Sequence, residues 1–126
     1  MALNHRVLFF SGAVALFLAC VLGAYGAHGL QASLPASEWS AFQTAVDYQF
    51  FHGLGLIAAT LLAQRYPASK PIATSGWLLL AGIILFCGSI YATSFGAPES
   101  LGSLAPIGGS AFMLGWLALG FGVLRV

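Results

Sequence analysis

Apolar residues run through this chain in four long blocks, with polar side chains confined to the gaps and to one patch. The first block covers residues 7–27, "VLFFSGAVALFLACVLGAYGA", with no charge between Arg6 and His28. The third covers 72–91 and the fourth 104–124. The second is less clean. Counting back about 20 residues from Arg65 puts its outer boundary near Ala45, but its helix begins earlier, near Pro35 to Ser37. It is therefore predicted over 36–64, with a first turn or two outside the hydrocarbon. About 20 apolar residues in a helix cross about 30 Å of hydrocarbon. The pattern predicts an all-α polytopic membrane protein, an antiparallel bundle of four transmembrane helices in one integral-membrane domain, 1–126.

Composition points to the same solvent. Of 126 residues, 60% are hydrophobic and 6% charged, with a mean hydropathy of +0.93. A soluble domain carries about a quarter of its residues charged, so this surface faces lipid. A net charge of +1 offers no basic patch for nucleic acid, and no nucleic-acid module is present. The start of the chain has a basic residue before an apolar stretch, as a signal peptide would. However, the apolar run continues past Cys20 without a polar break, so the expectation is an uncleaved first span. Cys20 and Cys87 lack metal-ligand spacing and are expected to be small buried hydrophobes.

Charge sets the orientation. With four spans the termini share one side, and Arg6, Arg65, Lys70 and Arg125 then all fall there, with Glu38 and Glu99 opposite. The positive-inside rule makes both termini cytoplasmic. Tyr66 and Trp77 then lie near the inner interface, and Tyr25, Trp39 and Tyr91 near the outer one. Pro35, Pro67 and Pro71 mark the turns, and Pro106 sits in a first helical turn, where it is tolerated.

Helices in lipid associate by close packing, so small residues mark their contacts. Helix one carries Ala15, Ala19, Gly23 and Ala27 along one ridge. Helix four carries Ala111, Gly115, Ala118 and Gly122. Trp116 falls near mid-membrane and is expected to pack in the core with one hydrogen bond from its indole N–H.

The polar patch is "TAVDYQFFHGLGL". Asp47 lies about 3 Å inside the outer edge and reads as an interfacial residue. His52 lies about 10 Å deep. Tyr48 and Gln49 are four and three residues before it, so the three share one helix face. A polar group in hydrocarbon costs several kcal/mol unless paired, so this face should turn into the bundle. Asp47 lies about 140° around the helix from His52 and does not form a dyad with it. Partners at similar depth are His28 and Tyr25, Ser89 and Tyr91, and Ser110, all in the outer half. The candidate binding residues are thus His28, Tyr48, Gln49, His52, Ser89 and Ser110, around a pocket open outward and sealed by apolar packing below. The same placement also suits a hydrogen-bond network that only fixes helix register, or a proton or ion relay. No nucleophile elbow, phosphate loop or zinc-protease helix is present. No catalytic residue, metal or cofactor is assigned, since two histidines on one side make a weak metal site.

The stretches "GAYGAHGL", "TAVDYQFFHGLGL", "GWLLLAGIILFCGS" and "LAPIGGSAFMLGW" resemble, in order and over nearly the whole chain, the YgdD-like small inner-membrane proteins. That family is of unknown function and is similar to a small eukaryotic transmembrane protein. The resemblance implies a bacterial inner-membrane protein of several helices and no activity. The family pattern is matched by Gly26, Ala27, His28 and Gly29, and by Tyr48, Gln49 and His52. Its position for Asp47 varies, and many relatives carry a basic residue where this chain has Gln31.

The expected function is a binding or accessory protein whose outer-half pocket takes a lipid, a small molecule or a partner helix. Rival readings are a small transporter or channel subunit and a membrane enzyme acting on lipid. Expected partners are membrane lipids and a homo-oligomer or larger membrane complex, with no nucleic acid.

Overall fold

The computed structural model describes residues 1–126. Four helices are long and apolar enough to cross a membrane: α1 (Leu3–Leu30), α2 (Ala36–Arg65), α3 (Lys70–Ser94) and α4 (Glu99–Leu124). Each outruns the span expected from hydropathy, except that α2 matches it closely. The hydrogen-bond ladder needs no hydrocarbon, so it continues past the apolar block into the polar flanks. α1 ends in a wide π turn over Gly26–Leu30, closed by the Gln31 N–H donating to the Gly26 carbonyl at 3.0 Å.

Local chemistry sets the boundaries. Pro35 precedes α2 in extended conformation, and Glu38 in the first turn complements the helix dipole. Pro71 occupies the opening of α3, where its missing N–H costs nothing. Inside α3 the ladder widens to a π turn at Ile83–Cys87 and then resumes. Gly96 (φ +99°) makes the turn between α3 and α4, a conformation that suits glycine because it lacks Cβ.

α2 and α3 form the central pair, with α1 against α2 and α4 against α3. The α1–α2 crossing is at Gly12 and Gly53. A Cβ on Gly12 would stand 2.8 Å from Ile57 and 3.2 Å from the Gly53 carbonyl. α4 meets α3 through Gly108, Gly115 and Gly122, against Phe86, Leu79 and Ile72 respectively, while Phe112 lies over Gly82. Leu56, Ile72 and Leu79 fill the centre. Phe10, Phe17, Leu114, Leu117 and Phe121 project outward, an apolar belt for acyl chains to solvate.

Four expectations need correction. The α1 ridge holds at Ala15 and Ala19, which are buried, but Ala27 is exposed, because the π turn at the outer end of α1 presents Gly26 and Leu30 to Phe42 of α2 instead. On α4, large and small residues alternate along the contact (Gly108, Phe112, Gly115, Leu119, Gly122), and Ala111 and Ala118 sit only on its flanks. Cys20 is exposed on the apolar surface, while Cys87 is buried as expected. Trp116 also departs from expectation. It is 43% exposed and makes no hydrogen bond, because its ring covers the gap left by Gly55 at the edge of the bundle.

At one end of the bundle, Lys70 and Arg125 border the same basin beside Ser69 and Pro71. Arg65 lies over the Tyr66 ring, 5.1 Å from its centroid.

Candidate functional site: a polar girdle that divides in two

Gln49 is 3% exposed. Its Nε2 donates to the Ala15 carbonyl at 2.7 Å, and its Oε1 accepts from the Tyr91 hydroxyl at 2.6 Å. One carboxamide therefore ties α2 to α1 and to α3. Nearby, the Cys87 thiol donates to the Ala45 carbonyl at 3.2 Å. The small side chain at Ala15 lets the carboxamide reach the backbone of α1. Tyr91 was among the partners expected from depth. The Ala15 carbonyl was not, because a backbone acceptor leaves no mark in the sequence.

His52 follows Gln49 by three residues, yet it serves a different interface. Its Nδ1 lies 2.7 Å from the Tyr48 carbonyl. A carbonyl only accepts, so Nδ1 carries the hydrogen and neutral Nε2 presents a lone pair. The ring stacks on Phe112 of α4, centroids 3.6 Å apart and planes at 16°. Trp116 stands 5.9 Å away on the same side. Tyr48 stacks on Phe86 of α3 at 5.0 Å and is 38% exposed. Its hydroxyl has no partner within the chain.

Tyr48, His52, Phe86, Phe112, Met113 and Trp116 surround a groove of about 560 Å³ between α2, α3 and α4. No fully buried side-chain nitrogen or oxygen in the chain lacks a partner. His52 Nε2, which has none, therefore keeps access to the surface. The groove is an aromatic trough with one hydrogen-bond acceptor and one phenol, and it opens sideways between helices.

Of the six candidate residues, the structure brings Tyr48 and His52 together and seats Gln49 one interface away. His28 is exposed on the π turn ending α1. Ser89 donates to the Phe86 carbonyl at 3.0 Å and Ser110 to the Pro106 carbonyl at 2.9 Å, each within its own helix. Phe86, Phe112 and Met113 escaped the sequence reading, since aromatic residues in a membrane helix signal nothing by themselves. No three His, Cys, Asp or Glu side chains converge as metal ligands would.

Four apolar crossings held by glycine contacts, with every fully buried side-chain nitrogen and oxygen partnered, define a small multi-pass membrane protein. Residues 22–109 match the family described as "Protein of unknown function (DUF423)", and the chain belongs to that family. It is 39% identical over 114 residues to the UPF0382 membrane protein YwdK of Bacillus subtilis, covering 90% of this chain and 93% of the relative. A UPF0382 membrane protein of Staphylococcus saprophyticus is 37% identical over 121 residues, 96% of this chain and 99% of that one. One from Haemophilus influenzae is 40% identical over 106 residues, 84% of each. No solved structure matches the chain. The resemblance noted from the four motifs and the membrane assignment both stand, and the family's function is unknown.

Proposed function

We propose that this is a binding or accessory protein of the bacterial inner membrane, with both termini cytoplasmic. In this reading, the groove beside Tyr48 and His52 holds the polar group of a lipid-soluble amphiphile. The observation that carries it is His52 itself, an imidazole within a membrane span whose Nε2 has no partner in the chain. An ionisable side chain inside a membrane marks a functional site by default.

Depth and tautomer narrow the occupant. His52 lies 13 residues before Arg65, about 20 Å along the helix. With Arg65 at the inner boundary of about 30 Å of hydrocarbon, the ring sits about 10 Å below the outer one. Phospholipid headgroups lie above that level. The ligand's polar group must therefore ride on an apolar body, and it must donate, because Nε2 accepts. A hydroxyl-bearing ring on a hydrophobic tail fits the aromatic walls. Orientation is supported by the four cations of the chain, which lie at the end holding both termini.

The test is thermal unfolding of the purified protein with and without a neutral-lipid extract of bacterial membranes. Wild type should gain several degrees, while His52→Ala should fold and gain nothing. A shift that persists in His52→Ala would remove the proposal. Collapse of His52→Ala, together with no shift in wild type, would make the imidazole a structural element only.

A further inference from the structure

The acids and the cations of this chain occupy opposite ends. Glu38 opens α2 and Glu99 opens α4, while Arg6, Arg65, Lys70 and Arg125 lie at the far end. Asp47 is 18 residues before Arg65, about 27 Å along α2. Gly23 of α1 faces Val46, next to Asp47, and is 17 residues from Arg6, about 25 Å. Thus no cation of the chain is in reach of the Asp47 carboxylate, which is exposed within a membrane-crossing helix.

Trp39, Gln43 and Asp47 are spaced four apart on α2, so they form one ridge. They face Gly23 and Ala27 of α1, whose small side chains leave a recess of about 180 Å³ with Phe42 in its wall. That wall is fixed. Phe42 is 1% exposed, lies against Gly26, and stacks on Trp39 at 5.8 Å and 14°. Pockets for drug-sized ligands run to roughly 300–1,000 Å³, so this one admits a headgroup rather than a whole lipid.

Its chemistry is one-sided: a carboxylate, a carboxamide oxygen and aromatic faces, all of which attract cations. Asp47 lies about 3 Å inside the outer hydrocarbon boundary, within reach of headgroups, and Gln43 and Trp39 lie one and two turns above it. We propose that this recess binds the primary ammonium of a lipid headgroup, with Asp47 as counterion and Gln43 Oε1 as second acceptor. A primary ammonium can donate to both oxygens at once, which a trimethylated one cannot. This site lies on the opposite side of α2 from the His52 groove and does not depend on it.

The full chain would be reconstituted in membranes mixing phosphatidylethanolamine, phosphatidylcholine and phosphatidylglycerol, then released gently and its retained lipids counted by native mass spectrometry. Wild type should retain phosphatidylethanolamine about two- to fivefold over its bulk share, the size expected of one exposed ion pair. Asp47→Asn should return it to the bulk share. Gly23→Leu, which fills the recess from α1 without touching the carboxylate, should do the same and serves if Asp47→Asn fails to fold. Unchanged retention in the folded variants would overturn the site. Equal enrichment of phosphatidylcholine would overturn the primary ammonium. Displacement of the lipid by an equal concentration of free ethanolamine would overturn the lipid source.

Discussion

The Tyr91 hydroxyl donates to Gln49 Oε1 at 2.6 Å across 42 residues of sequence. The same carboxamide donates to the Ala15 carbonyl 34 residues away. These two bonds join three helices at one point in a medium that offers no water to replace them.

Removing that point should loosen the bundle. Gln49→Leu orphans the Tyr91 hydroxyl and should cost about 1–2 kcal/mol, given that interhelical hydrogen bonds in membranes average well below their ideal value. A double-mutant cycle with Tyr91→Phe, read by unfolding in mixed micelles, should give coupling of about 0.5–1.5 kcal/mol. Strict additivity would show that the bond contributes nothing net.

Glycine should matter only where helices touch. A Cβ at Gly108 would run into the Phe86 backbone, which cannot swing aside. Gly108→Ala should therefore destabilise by about 1–3 kcal/mol. At Gly88 and Gly120 a Cβ would stand in open space, with nothing within 4 Å. Gly88→Ala and Gly120→Ala should be neutral or mildly stabilising through helix propensity. Melting midpoints of the three variants check the contrast.

His52→Phe should separate stability from binding. Its ring keeps the stack on Phe112, and the Tyr48 carbonyl lies within a helix where the backbone already uses it. The variant should stay within about 1 kcal/mol of wild type yet lose any stabilisation by added neutral lipid. Retained stabilisation would place recognition elsewhere.

Orientation can be read with a membrane-impermeant maleimide in a Cys20→Ala background. Ser100→Cys, beside the α3–α4 turn, should label from outside intact spheroplasts, and Ser69→Cys should label only after lysis. Cys87, 1% exposed with its thiol on the Ala45 carbonyl, should stay unlabelled until the protein unfolds. The reverse pattern at 69 and 100 would invert the topology.

The sequence by itself determined the number of crossings, their boundaries to within a few residues, and which ends carry charge. It could do so because a bilayer judges length, hydropathy and charge, and these are properties of a linear segment. It also showed that Tyr48, Gln49 and His52 share a face and that Tyr91 lies at the right depth. Only the tertiary structure decided that this face divides, with Gln49 entering the α1–α3 side and His52 the α4 side. Helix rotation is fixed by close contacts such as Gly12 with Gly53 and Gly82 with Phe112. Such contacts join residues distant along the chain, and a single apolar segment does not say which neighbour its glycines will meet. For the same reason Ala27, Cys20 and Trp116 lie outside the core that their hydrophobicity suggested, since in lipid an apolar side chain is solvated equally well on either face of its helix.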